Sequence, residues 1–116
     1  MYRGWGGWAE DNDKAFDAFS AAAEQGYTTA MVCLGLCYKY GEGVEKDLSE
    51  AVKLYTQAVE KGNADAMCNL AICYKHGQCG LSVDRSAARR YYQMAADKGH
   101  AKATNALALL DRNNEP

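Results

Sequence analysis

The chain has 116 residues, of which 48% are hydrophobic and 24% are charged, and its formal net charge is −2. Twenty residues are alanine, whereas valine, isoleucine and threonine together number ten and proline occurs once. This composition favours a single helical domain, because alanine is the best helix former and β-branched residues favour strands. It argues against a disordered chain, and the near-neutral charge provides no general attraction to nucleic acid.

The apolar segments and the cysteines indicate where in the cell the protein is located. No segment approaches the about 18 consecutive apolar residues of a membrane span, and residues 1–8 lack the apolar core of a signal peptide. The five cysteines are an odd number with no extracellular cue. We therefore expect free thiols in an intracellular, cytoplasmic protein with no membrane partner.

Helical periodicity predicts six helices along the chain. They cover residues 13–25, 28–40, 47–61, 64–76, 84–98 and 101–112. The third is the clearest, since Asp47 is a candidate N-cap and four apolar residues from Ala51 to Ala58 fall at i, i+3, i+4 and i+7. Only a few residues separate successive helices, so neighbours must form antiparallel hairpins.

These helices belong to an internal repeat. Gly26, Gly62 and Gly99 follow one another at steps of 36 and 37 residues. The same register aligns Ala30 with Ala66 and Ala103, Leu34 with Leu70 and Leu107, and Phe19 with Tyr55 and Tyr92. The extra residue of the second step lies in a loop, where residues 41–44 (GEGV) become residues 77–81 (GQCGL). Each unit must stack on the next, because it cannot bury its apolar face alone.

Two runs of sequence carry a family resemblance. The run from Leu34 to Asp47 (LGLCYKYGEGVEKD) and its continuation from Ala51 to Ala66 (AVKLYTQAVEKGNADA) resemble the signature of Sel1-like repeats. The resemblance extends over about residues 2–112. It implies an all-α fold, a right-handed α/α superhelical solenoid of antiparallel helix hairpins related to tetratricopeptide repeats. It also implies a non-catalytic adaptor or scaffold that binds other proteins and needs no cofactor.

The repeat register also divides the chain. Residues 1–12 match the end of a repeat, residues 13–112 contain about three helix hairpins, and residues 113–116 form a polar tail. The last helix has no second helix after it. Trp5, Trp8 and this last helix are therefore candidates for a partner contact, a folded-back cap or self-association.

The cysteines and histidines are the residues most suited to chemistry. Cys33 and Cys37 share one helix face, and Cys68 and Cys73 lie in the equivalent helix, so a metal or redox site is one alternative. However, no Cys-x-x-Cys pair occurs, and equivalent positions in stacked helices lie about 9–10 Å apart, beyond the reach of a disulfide. We expect the cysteines to be small buried apolar residues and no metal to be bound.

An enzyme is poorly supported. His76 and His100 have no nucleophile or carboxylate at a spacing that indicates catalysis. The Gly41-x-Gly43 motif follows a predicted helix, whereas a phosphate-binding loop precedes one. We therefore predict no catalytic residues.

By analogy with tetratricopeptide repeats, the first helix of each hairpin should line a concave groove. The candidate partner-binding residues on these helices are Lys39, Tyr40, Cys68, Asn69, Ile72, Lys75, His76, Asn105, Leu109 and Arg112. One column of the register is basic in every unit and comprises Arg3, Lys39, Lys75 and Arg112, which we call the basic stripe.

The basic stripe has two interpretations. It can hold an acidic or carboxylate-bearing peptide that the amides of Asn69 and Asn105 orient. Alternatively, it complements the negative ends of the helix dipoles and keeps the surface soluble. The sequence thus predicts a non-catalytic module that binds a peptide or helix segment, or alternatively a structural, self-associating segment of a larger repeat assembly.

Overall fold

The computed structural model describes the backbone of residues 6–113 and the side chains of residues 12–110 and of Arg112. This part of the chain contains six helices and no strand. The helices are α1 (Gly6–Glu24), α2 (Thr28–Tyr40), α3 (Leu48–Glu60), α4 (Ala64–His76), α5 (Arg85–Asp97) and α6 (Ala101–Asn113). Five of them lie within one residue of their predicted bounds at each end.

The first helix differs from its prediction. It begins at Gly6 rather than at residue 13, and Asp11, which the repeat register aligns with the N-cap Asp47, lies inside it. The physical reason is that neither glycine nor proline occurs between Trp8 and Glu24, so nothing in that stretch interrupts a helix. The side chains of Trp5 and Trp8 lie outside the described residues.

Local sequence fixes the ends of the hairpin helices. Gly41 and Gly77 end α2 and α4 in the left-handed conformation, with φ of 70° and 67°. The carboxylates of Asp47 and Asp84 cap α3 and α5, each accepting a hydrogen bond from the backbone N–H three residues further on, at 3.1 and 3.0 Å. The predicted N-cap at Asp47 is confirmed.

The helices pack in chain order as an all-α solenoid. The most extensive contacts are those of α2 with α3 and of α4 with α5, and α3 packs against α4 to join the two hairpins. Two buried clusters form the core, one around Tyr55 and the other around Tyr92. These tyrosines occupy equivalent positions in α3 and α5, so each hairpin supplies one large ring to the interior.

Small residues permit the close approach of the helices. A Cβ atom placed on Gly35 of α2 would lie 2.8 Å from Cε1 of Tyr55, a ring with no exposed surface. The facing residues Ala51 and Ala58 of α3 are also fully buried. Gly35 therefore lets the Tyr55 ring lie directly against the backbone of α2, because any side chain there would displace the ring.

We predict that Gly35→Ala destabilises the protein even though alanine favours a helix by about 1 kcal/mol. The added methyl group overpacks the contact with Tyr55 and costs about 1–3 kcal/mol of stability. This cost is larger than the gain in helix propensity over most of its range. Urea unfolding measures the change. In a Tyr55→Leu background the ring is gone, and the same substitution should then be neutral or stabilising. An equal loss in both backgrounds would contradict the proposed contact.

The hydroxyl of Tyr55 is buried and has no hydrogen-bond partner among the residues that the structure describes. Burial raises the pKa of this phenol, and the neighbouring thiols of Cys73 and Cys79 raise it further. An acid with a raised folded-state pKa stabilises the fold below its unfolded pKa and loses that contribution as the pH rises above it. For a tyrosine the loss begins near pH 10.

We predict that Tyr55→Phe leaves the free energy of unfolding within about 1 kcal/mol of wild type at pH 7, because the lost hydroxyl makes no hydrogen bond. Above about pH 10 the variant should lose less stability than wild type, since it has no buried phenol to ionise on unfolding. Denaturant unfolding at pH 7 and pH 10.5 under reducing conditions tests both points. Tyr27→Phe, on an exposed ring, is the matched control.

Candidate functional site

A cavity of about 250 Å³ lies between α2, α4 and the start of α6, and we call it the groove cavity. It is lined by Thr29, Val32, Cys33, Leu36, Asp65, Cys68, Asn69, His100 and Lys102. The four residues from α2 follow the i, i+3, i+4, i+7 pattern of one helix face. Val32 and Cys68 are buried, whereas Thr29, Asp65 and Lys102 are exposed. The groove cavity thus has apolar walls and a polar, charged rim.

Asn63 joins the start of α4 to the start of α2. Its Oδ1 accepts a hydrogen bond from the backbone N–H of Ala66 at 2.9 Å and so caps α4. Its Nδ2 donates to Oγ1 of Thr28 at 3.0 Å, at the start of α2. We call α2, α4 and α6, which are equivalent in the repeat register, the inner helices. One side chain therefore both starts α4 and ties it to α2.

His100 has the same two roles at α6. Its Nδ1 accepts a hydrogen bond from the backbone N–H of Ala103 at 3.1 Å. Its Nε2 lies 2.7 Å from Oδ1 of Asp65 on α4. Because Nδ1 accepts, the proton of the neutral ring is on Nε2, which donates to the carboxylate. The imidazole therefore fixes α6 against α4 at the rim of the groove cavity.

His100 was missed as a site residue by the sequence prediction. The signal was present in the repeat register, which places Tyr27, Asn63 and His100 at the same position before each inner helix. Tyr27 makes no side-chain cap. The register therefore identifies the shared position. Only the three-dimensional contacts show that Asn63 and His100 each cap a helix and bind the helix of the preceding repeat.

We predict that Asn63→Ala costs about 1–2 kcal/mol of stability, because it removes a helix cap and a half-buried hydrogen bond together. Thr28→Ala is the matched control, since it removes only the bond between the helices and introduces the residue found at the equivalent positions 64 and 101. Its cost should be smaller. Chemical unfolding of both single variants and the double variant separates the two terms. Equal costs for the two single variants would show that the cap contributes nothing.

A second cavity, of about 320 Å³, lies at the opposite end of α2, and we call it the loop cavity. It is lined by Lys39, Tyr40, Lys46, Leu48, Gln78 and Cys79. The ammonium group of Lys39 donates to Oε1 of Gln78 at 3.2 Å and lies 5.3 Å from the centre of the Tyr40 ring. Lys39 is therefore held by a neighbouring loop and by a cation–π contact.

The ten predicted partner-binding residues do not share one cavity. Cys68 and Asn69 line the groove cavity, and Lys39 and Tyr40 line the loop cavity. The other six, Ile72, Lys75, His76, Asn105, Leu109 and Arg112, line neither. The reason is helix length, since the 13 residues of an inner helix extend over about 20 Å and separate its two ends.

The remaining predicted residues differ in exposure. Lys75 is half-buried, and Ile72 packs partly against the second core cluster. The others are exposed and comprise His76, Asn105, Leu109 and Arg112. Arg3 lies outside the described residues. The part of the basic stripe that can be placed therefore consists of Lys39, Lys75 and Arg112.

The thiols of the groove cavity are neutral near pH 7. Burial raises the pKa of Cys33, and the charge of Asp65 adds to this shift. Burial likewise raises the pKa of Cys68, against which Lys102 acts to lower it. These cysteines are therefore apolar wall residues rather than nucleophiles. No group of three or more potential metal-ligating side chains occurs among the described residues.

None of the described helices is both long and apolar enough to span a membrane.

Comparison with known proteins identifies the repeat. The sequence profile of the Sel1 repeat matches residues 2–27, 29–63 and 64–100. The chain belongs to the Sel1 repeat family. The second and third matches begin at the starts of α2 and α4, so one repeat contains α2 and α3 and the next contains α4 and α5. A comparison with curated proteins gave no match.

Two solved structures are similar to this chain. A Sel1 repeat protein from Oxalobacter formigenes is 32% identical, with a TM-score of 0.79, over 84% of this chain and 40% of that one. The c5321 protein, a protective antigen of uropathogenic Escherichia coli strains that displays the Sel1-like repeat fold, is 30% identical, with a TM-score of 0.77, over 84% and 21%. The chain thus spans less than half the length of either relative. Sel1 repeat proteins are in general protein-interaction or scaffold modules, and their fold is typically non-catalytic.

Proposed function

We propose that this chain binds an acidic peptide segment along the inner helices α2, α4 and α6. An apolar side chain of the peptide enters the groove cavity, and its carboxylates face Lys39 and Lys75 of the basic stripe. The groove cavity is smaller than the about 300–1,000 Å³ of a typical small-molecule site. It suits one side chain of a longer segment better than a whole ligand.

The observation that carries this proposal is the state of Asn69. Its side chain is half-buried on the wall of the groove cavity and makes no hydrogen bond within the described part of the chain. A half-buried amide without a partner has donors and an acceptor available for the backbone of a bound peptide. Lys75, one to two turns further along α4, is likewise without a partner among the described residues. An amide and a cation on the same helix favour an extended, acidic occupant.

Charge reversal tests the proposal. We expect Lys39→Glu with Lys75→Glu to reduce capture of protein partners from cell lysate by tenfold or more, because two attractive contacts become repulsive. The matched control is Lys14→Glu with Lys53→Glu, which makes the same charge change at exposed positions on α1 and α3. Quantitative mass spectrometry compares wild type with both variants. Partners retained by the first variant to the same extent as by the control would contradict a role for the basic stripe.

A second variant tests the groove cavity without changing charge. Thr29 is exposed at the rim, so Thr29→Trp should fill the cavity and leave the core intact. We expect the same partners to be lost as with the charge reversal. Circular dichroism and thermal unfolding establish that the variant is folded. Undiminished capture by a folded Thr29→Trp protein would exclude the groove cavity as the binding site.

A structural role is the second candidate, and Leu109 favours it. This side chain is 49% exposed on α6, which packs against α5. An exposed leucine on the last helix offers a surface for stacking a further repeat or a second chain. Sedimentation of wild type and Leu109→Lys at several concentrations distinguishes the candidates. Concentration-dependent association that the substitution abolishes would favour the structural role.

A further inference from the structure

Two buried thiols face each other at the end of α4. Sγ of Cys73, in the last turn of the helix, lies 3.1 Å from Sγ of Cys79, in the loop that follows. Cys73 has no exposed surface and Cys79 is 7% exposed. A disulfide has an S–S distance of about 2.05 Å, so the two sulfurs are about 1 Å from bonding distance.

The loop backbone places the second thiol there. Cys79 has φ of 58° and is the one non-glycine residue with positive φ in the described part of the chain. It lies between Gly77 and Gly80, whose φ values of 67° and 75° match those of Gly41 and Gly43 in the preceding repeat. Cys79 is therefore the residue that the second loop has in addition to the first.

The backbone hydrogen bonds at the start and end of the loop are the same in both repeats. The difference between the two loops is therefore due to the extra residue. The backbone N–H groups of Glu42 and Gln78 donate to equivalent carbonyls of the preceding helix, as do those of Asp47 and Asp84 at the far ends of the loops. Only the interior of the loop differs. The additional residue is turned inward toward Cys73 instead of being accommodated at the surface.

We propose that Cys73 and Cys79 form a reversible intrachain disulfide and that this pair is a redox site of the protein, with a peroxide as the oxidant. The inference is independent of peptide binding. It takes up the redox alternative in place of the expected role as small apolar residues, and the pair joins a repeat position to a loop position rather than two equivalent repeat positions.

The reaction balances with one molecule of hydrogen peroxide. The thiolate of one cysteine attacks a peroxide oxygen, the O–O bond breaks, and a sulfenic acid and water result. The second sulfur then attacks the sulfenic sulfur, the S–S bond forms, and a second water leaves. Each sulfur is oxidised by one electron, and the two electrons and the two thiol protons reduce the peroxide to two waters.

Burial sets the rate of this reaction. It raises the pKa of the Cys73 thiol to about 12, and the hydrogen bond with Cys79 acts in the same direction. Because the thiolate is the reactive form, oxidation should be slow at neutral pH and should accelerate as the pH rises. No other two of the five cysteine sulfurs are in hydrogen-bond contact, so we expect no second disulfide to form in the folded protein.

Peptide mapping tests the pair directly. Dilute, folded, reduced protein is exposed to hydrogen peroxide, quenched, unfolded, alkylated and digested with trypsin. Cleavage after Lys61, Lys75 and Arg85 places Cys73 in peptide 62–75 and Cys79 in peptide 76–85. We expect these peptides to be joined and two hydrogens lighter than their sum, with alkylated thiols falling from five to three per chain. Five alkylated thiols at a dose that oxidises a small-molecule dithiol would overturn the proposal.

Two variants determine whether Cys79 is bonded to Cys73 or to Cys68. Cys68 shares peptide 62–75 with Cys73, so Cys68→Ser must retain the joined peptides and Cys73→Ser must lose them. If the joined peptides persist in Cys73→Ser, or if Cys79 accumulates as sulfinic acid without a link, the assigned pair is wrong. Wild-type protein oxidised in urea is the control for the fold. There the preference for this pair over the other cysteines should fall, which keeps the test decisive even if a serine variant fails to fold.

Discussion

The contact between Gly35 and the ring of Tyr55 is the constraint on which the arrangement of the inner helices depends. Without a Cβ atom on Gly35, the fully buried ring lies against the backbone of α2. This close approach sets the geometry of the hairpin of α2 and α3, against which α4 then packs. In the next repeat the equivalent pair is Ala71 and Tyr92, both buried in the second core cluster. The second crossing accommodates a methyl group where the first has none, and the groove cavity lies between α2 and α4 of these two hairpins.

Asn63 and His100 each make one hydrogen bond to the backbone and one to a side chain. Asn63 and His100 each cap an inner helix and also bind a side chain of the inner helix before it. A cap alone would start the helix without positioning it. The second hydrogen bond fixes each helix start relative to the previous repeat, and at His100 and Asp65 this bond lies at the rim of the groove cavity. The same two side chains thus combine a local helix cap with a contact between repeats.

The loop after α4 shows how one additional residue changes the chemistry of a repeat. Gly43 in the loop after α2 is equivalent to Gly80 in the loop after α4. The backbone hydrogen bonds at both ends of the two loops are also equivalent. The extra residue in the second loop is Cys79, and it meets Cys73 in the interior. The adjacent Gln78 accepts a hydrogen bond from Lys39. The thiol pair and one end of the basic stripe consequently share a loop, although different forces hold them.

Local signals were sufficient to predict the helices, their order and the repeat, because residue spacing, glycine stops and aspartate caps act within one or two turns. The prediction failed at the start of α1, which was predicted at residue 13 and lies at Gly6, because no glycine or proline between Trp8 and Glu24 interrupts the helix. Tertiary structure decided which candidates meet. It put Cys68 and Asn69 in one cavity and Lys39 in another, because opposite ends of a 13-residue helix are separated by about 20 Å. Tertiary packing also places Cys79 beside Cys73 and His100 beside Asp65. These contacts depend on loop conformation and helix stacking, so residue spacing does not predict them.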